Sequence, residues 1–188
     1  YKETNLLQQG PGTSFSFSIK KQHFIFLDAR SFRSPDSDPH GNYFSETQAE
    51  WINSQFKKNP HDFFWLISGS QWFGTKGQDE SFEINHPFTI DSFFQKIELT
   101  KYNVQLISGD SHFSEIKKIL IDSKNIFEIT SSAMHALPVG KLEPDNRRLS
   151  ASNLPNFVLG EINLETNEDN LFTAYTLFNR TLFKHKVP

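Results

Sequence analysis

The stretch "NVQLISGDSHFSEI" (103–116) carries an apolar run up to a glycine, after which an aspartate and a histidine stand two residues apart. In extended backbone, residues two apart project from one face, so Asp110 and His112 point one way and Ser111 the other. Gly109 permits a sharp exit from the strand. One hard carboxylate oxygen and one imidazole nitrogen form a donor pair suited to iron, zinc or manganese. Glu115 follows closely enough to accept from the imidazole and orient it. The same spacing also fits a plain strand-end turn, with the aspartate capping a short helix that includes "FSEIKKI". Two ligands by themselves are not a site.

Such a pair acquires meaning only from the elements that position it, and ligand sites of α/β sheets gather at the carboxyl ends of strands. At 188 residues the chain fits one domain, 1–188, and is long enough to bury a real core. With 20 phenylalanines, bulky rings must carry much of that core. "SFSFSI" (14–19) alternates strictly, the period of a half-buried strand, and "HFIFLD" (23–28) is a second, more continuously apolar one. "RSFRSPDSDPHGN" reads as an exposed loop. Ser45 is the N-cap of a helix with Glu46 and Glu50 early, Trp51, Ile52 and Phe56 on one face, and Lys57 and Lys58 last. "FFWLISG" (63–69), "VQLISG" (104–109) and "IFEIT" (126–130) are further strands. Between the first two of them, Ile90, Phe93, Phe94 and Ile97 give 87–99 a helical spacing. A long polar loop spans 131–155. "NFVLGEINL", "NLFTAYTLF" and "TLFKHKV" then read as an antiparallel meander. Strand–helix alternation followed by paired strands gives α/β with an antiparallel end.

Composition removes several function classes. Nineteen basic against 22 acidic residues leave a net charge of −3, which lacks the basic footprint that nucleic acid or an anionic membrane needs in a main partner. The absence of cysteine removes disulfides and thiolate metal sites and leaves the compartment open. "FIFL" and "FFWLI" are far too short to span a bilayer, and no basic-plus-apolar leader opens the sequence.

Five segments taken together carry more than any one of them. In order and spacing, "FIFLDARSFR", "ETQAEWI", "FFWLISGSQWF", "NVQLISGDSHFSEI" and "FEITSSAMHA" resemble the PhoD-like alkaline phosphatase family. The counterparts there read approximately L-D-x-R-x-x-R, a Gln before W-[LI], a strand ending near S-Q, S-G-D-x-H-x-x-E and E-[LI]-T-S-S. "NLPNFVLGEINLETNEDN" is similar to that family's terminal strands, so the resemblance runs from Gly10 almost to the end.

The resemblance implies a metallophosphatase fold, a four-layer α-β-β-α sandwich to which this chain contributes mainly the C-terminal half. It implies a phosphomonoesterase or phosphodiesterase in which two metal ions, iron with calcium, activate a water that attacks phosphorus in line. Zinc or manganese fit the donor types as well. Asp110 and His112 carry over as metal ligands. Arg30 and Arg33 carry over as motif positions only. From its chemistry, Arg30 could clamp a phosphate through its planar fork, or brace the loop by pairing with Asp28 or Asp36. Ser70 and Gln71 stand where many metallophosphatases have a ligand histidine, and they are expected to line the pocket by hydrogen bonds. His135 reads as a loop histidine near the site. His23, His40, His61, His86 and His185 fall in turn or surface contexts and receive no role.

One departure is plain. The D-x-H, G-D-x-x-[DY] and W-D-D-H-like segments of such enzymes have no counterpart in 1–188. The chain therefore reads as an incomplete catalytic domain, inactive alone, with a missing N-terminal half or another chain completing the site around a phosphoester substrate. A non-catalytic half domain, binding a partner chain or a single metal, is the alternative. A periplasmic or secreted location is what the family suggests.

Overall fold

The computed structural model describes residues 7–75, 81–131, 134, 141–166, 168 and 170–188. A short strand β1 (Gln8–Gln9) leads into the hairpin of β2 (Phe15–Ile19) and β3 (Gln22–Leu27). Helix α1 (Glu46–Lys58), strand β4 (Phe63–Ser68), helices α2 (Phe82–Asn85) and α3 (Ile90–Lys96) and strand β5 (Asn103–Ser108) follow. Strands β6 (Ser114–Ile121), β7 (Lys124–Ser131) and β8 (Arg148–Ser152) complete the first sheet. The last three, β9 (Asn156–Glu161), β10 (Asn170–Thr176) and β11 (Thr181–Val187), form the second.

The larger sheet has the order β1-β2-β3-β4-β5-β7-β6-β8, and the smaller, all antiparallel, runs β11-β10-β9. Strands β3, β4, β5 and β7 are mutually parallel, with Leu27 opposite Ser68 and Ser108 opposite Thr130. Their carboxyl ends thus form one row. The architecture is a sheet-dominated α/β fold with few helices.

Helix α1 starts where the sequence places it. Ser45 Oγ accepts from the Gln48 N–H, and the Gln48 side chain accepts from the Ser45 N–H, a reciprocal capping box. Ile52 and Phe56 from α1, with Phe93 and Phe94 from α3, pack on Ile25, Phe64, Leu66, Val104 and Leu106 of the sheet. The opposite face carries a second core in which Trp65, Ile116, Phe127 and Ile129 meet Phe172 of β10 and Val187 of β11. The small sheet thus covers part of the second apolar face from within the chain. It does not reach everywhere. Phe15 stacks on Phe26 at 4.5 Å and Phe17 on Phe24 at 5.0 Å, and all four rings remain half-buried.

Three segments differ from expectation. The stretch "SEIKKILI" is strand β6 rather than a short helix, because Ile116 faces one core while Glu115, Lys117 and Ile119 face the other, all buried. With both faces covered, the strand shows no polar–apolar alternation to read. Within the supposed loop 131–155, Arg148–Ser152 pairs with β6 as β8. The predicted helix 87–99 is shorter, ending with Ile97 as its cap, and α2 precedes it.

Candidate site at the carboxyl ends of the parallel strands

Asp28 follows β3 and organises the turn beyond it. Its Oδ1 accepts from the backbone N–H of Arg30 at 3.0 Å and of Ser31 at 2.8 Å, and its Oδ2 from Thr13 N–H at 2.9 Å. Burial opposes ionisation here, yet the hydrogen bonds from Ser31, Thr13 and Arg30 hold the carboxyl well below the usual range. Asp28 is thus a fixed anion that shapes the loop without pairing with the Arg30 guanidinium. That guanidinium reaches across the end of β4 instead, Arg30 Nη2 standing 3.0 Å from Asp110 Oδ2. The brace to Asp36 belongs to Arg33, at 2.7 Å, whose guanidinium also lies 4.3 Å over the Tyr43 ring.

Asp110 and His112 both follow β5, and both are exposed. Their backbone is not extended. Strand β5 ends at Ser108, and Asp110 (φ 64°) and His112 (φ 54°) adopt the left-handed conformation. Aspartate and histidine visit that region more readily than most residues. The rule that residues two apart share a face therefore stops at Ser108. Gly109 serves close approach rather than a left-handed turn, since a Cβ there would lie 3.3 Å from the Gly69 carbonyl oxygen.

Ser111 ties this loop to the interior. Its hydroxyl donates to Gln71 Oε1 at 3.2 Å, while Gln71 Nε2 donates to Glu115 Oε1 at 2.5 Å and Thr130 Oγ1 at 3.2 Å. Ser70 and Gln71 are both buried, and the Gln71 amide is used on these internal partners. Glu115 departs from the role its spacing offered. Its carboxylate lies fully buried against Gln71, Lys117 Nζ at 2.8 Å and Arg148 Nε at 2.6 Å, instead of reaching the His112 imidazole.

Behind Gln71 lies a buried polar network that spacing did not reveal. Lys117 Nζ also contacts Phe73 O at 2.6 Å and Asp145 Oδ2 at 3.3 Å. Glu128, fully buried, accepts from Trp72 N–H (2.8 Å), Phe73 N–H (3.1 Å) and Ser108 Oγ (2.7 Å). Burial pushes its pKa up to about 7, against the pull of Lys117 and the hydrogen bonds from Ser108 and Trp72. The network thus clamps the 71–73 segment and the end of β5, on either side of the Asp110–His112 loop. The signal that could have found it is two opposite charges, Glu115 and Lys117, two apart and flanked by Ile116 and Ile119.

His135 lies outside the described residues. His23 and His86, assigned to turn or surface contexts, are buried, at 9% and 0% exposure. Among the described residues, no three His, Cys, Asp or Glu side chains come together as a metal-binding group. None of the described helices is long and apolar enough to cross a membrane.

No protein-family model matches the chain, and no curated protein matches it in sequence. Solved structures do. The structure of PhoD superimposes with a TM-score of 0.65 at 15% identity, over 98% of this chain and 43% of that one. GAP50, described as the anchor in the inner membrane complex of Plasmodium, superimposes with a TM-score of 0.64 at 15% identity, over 94% of this chain and 55% of that one. The chain has a PhoD-like fold, and it spans about half the length of the solved structures it matches.

Proposed function

We propose that this chain is part of a metal-dependent phosphoric-ester hydrolase, a phosphomonoesterase or phosphodiesterase, in which Asp110 and His112 are metal ligands and Arg30 holds the phosphoryl group. The observation that carries the reading is the seating of Asp110, His112 and Arg30 at the carboxyl ends of the central strands of a PhoD-like fold. One oxygen and one nitrogen donor are too few to hold a metal ion, and the described residues add no third. The remaining ligands of a dinuclear centre are therefore assigned to a further segment or a second chain. Iron with calcium, or zinc or manganese, would supply the activated water when bound.

The half-buried strip of Phe15, Phe17, Phe24 and Phe26 supports such a partner. It continues the core between the two sheets past the edge of the small sheet, where additional strands would complete a four-layer sandwich. Gln71 and Glu115 support the loop through Ser111 in this reading, and Ser70 lies buried beside them.

The test uses the longest natural form of the protein, assayed on chromogenic phosphomonoesters and diesters with metal content measured in parallel. Asp110→Ala and His112→Ala should each lower metal content and turnover together. Full activity in either variant would sink the assignment. The chain of 188 residues alone should self-associate and show no phosphatase activity.

A second reading is favoured by the same shortage of donors: a non-catalytic half domain that binds a partner chain or one metal. Partner binding without hydrolysis in the longest natural form would select it.

A further inference from the structure

At the opposite, amino end of the sheet, three side chains from three segments fall into line. Ser18 Oγ lies 2.7 Å from His23 Nδ1, and His23 Nε2 lies 2.8 Å from Asp62 Oδ2. Ser18 and His23 face each other across the β2–β3 ladder. Asp62 sits in the turn between α1 and β4, its own N–H bonded to Asn59 O at 3.0 Å. The imidazole is 9% exposed and stacks on Phe64 at 4.9 Å, so its orientation is fixed by packing. Ser18 is exposed.

In a neutral imidazole one ring nitrogen carries the proton and the other presents a lone pair. An ionised Asp62 accepts a hydrogen bond, which holds the imidazole proton on Nε2. Nδ1 then presents its lone pair to Ser18, whose hydroxyl must donate. A hydroxyl bonded to an imidazole that a carboxylate orients is the general pattern of an activated nucleophile, recognised by geometry rather than by sequence position.

We propose that Ser18, His23 and Asp62 form a hydrolytic relay acting on small, activated carboxylic esters. Ser18 Oγ bonds to the ester carbonyl carbon as its proton passes to His23 Nδ1. The tetrahedral centre expels the alcohol, which takes that proton. Water then attacks the acyl carbon, giving a proton to Nδ1, and the acid departs as Ser18 Oγ recovers it. Ester and water become acid and alcohol, with no change of oxidation state. The exposed position of Ser18 on its strand suits unhindered acyl groups rather than a polymer held in a cleft. General-base assistance of this kind is worth about 10²–10⁴-fold, the gain expected over Ser18→Ala.

The chain has no cysteine, so Ser18→Cys gives it a single thiol whose alkylation rate against pH reports directly on the imidazole. The relay requires that thiol to ionise below the ordinary value of about 8.5, and to return to it when His23→Gln is added. On the unmodified serine, a fluorophosphonate probe should label Ser18. Hydrolysis of p-nitrophenyl acetate should fall at least about 10²-fold in Ser18→Ala and in Asp62→Asn. Circular dichroism checks that each variant folds. Labelling and hydrolysis that persist in a metal chelator separate this activity from the phosphoesterase reading. An unlabelled Ser18, equal hydrolysis by Ser18→Ala, or an ordinary thiol in Ser18→Cys would overturn the relay.

Discussion

Arg30 Nη2 and Asp110 Oδ2, eighty residues apart in sequence, stand 3.0 Å apart and link the loop after β3 to the loop after β5. Both side chains keep substantial exposure, 64% and 37%, so the pair is screened and contributes little to stability. Its place in the molecule is to set where a cation stands beside a candidate ligand.

Arg30→Ala should accordingly change stability by less than about 1 kcal/mol. In the longest natural form it should raise KM for a phosphoester more than it lowers kcat. Urea melts and steady-state kinetics check the two halves of that expectation, and a large stability loss would make Arg30 a structural brace.

Asp28→Ala should cost on the order of 3 kcal/mol, because the backbone N–H groups of Thr13, Arg30 and Ser31 lose their shared acceptor. The folded carboxyl titrates below its ordinary value of 3.8, so its stabilisation is complete above that pH and is lost as the solution becomes more acid. Acid unfolding of the variant should begin from a lower plateau with a shallower slope.

Lys117→Met removes a fully buried ammonium from between Glu115, which keeps Arg148, and Asp145, which keeps Arg147. Breaking one partner out of a buried ionic cluster costs about 3–5 kcal/mol. A denaturation midpoint close to that of the unaltered chain would show that the network relaxes around the missing charge.

Glu128 gives a pH dependence of opposite sign. Its folded pKa, about 7, lies above the ordinary 4.5, so the folded state holds this proton more tightly than the unfolded chain. That stabilisation is full below pH 4.5 and is lost as pH rises toward 7. The difference in unfolding free energy between the unaltered chain and Glu128→Gln should fall with a slope of up to about 1.4 kcal/mol per pH unit through that window. A pH-independent difference would show that Glu128 stays ionised.

Local signals carried much of the fold. The Ser45 cap, the alternation of Phe15–Ile19 and the apolar runs of β4 and β5 each act within a few residues, and each forms as read. Strands β6 and β8 escaped because their character is set by what covers them. Glu115 and Lys117 are polar in sequence and buried in the fold, satisfied by Arg148 and Asp145 from far along the chain. The site was legible in part for the same reason. The position of Asp110 and His112 at a strand end follows from "QLISG", whereas their left-handed backbone and the link to Arg30 arise only when distant loops meet.

The strand order β5-β7-β6 also bears on how the molecule assembles in time. Strands β6 and β7 are joined by two residues, Asp122 and Ser123, both with positive φ, a turn matched to a tight hairpin that can close within microseconds. Strand β5 pairs with β7, the far member of that hairpin, and not with β6, which follows it directly. The segment 109–113 must therefore arch past the end of β7 to reach β6. With a hairpin that closes first, Asp110 and His112 are set only when it docks on β5, so slowing that step should delay the candidate site while the hairpin forms on schedule.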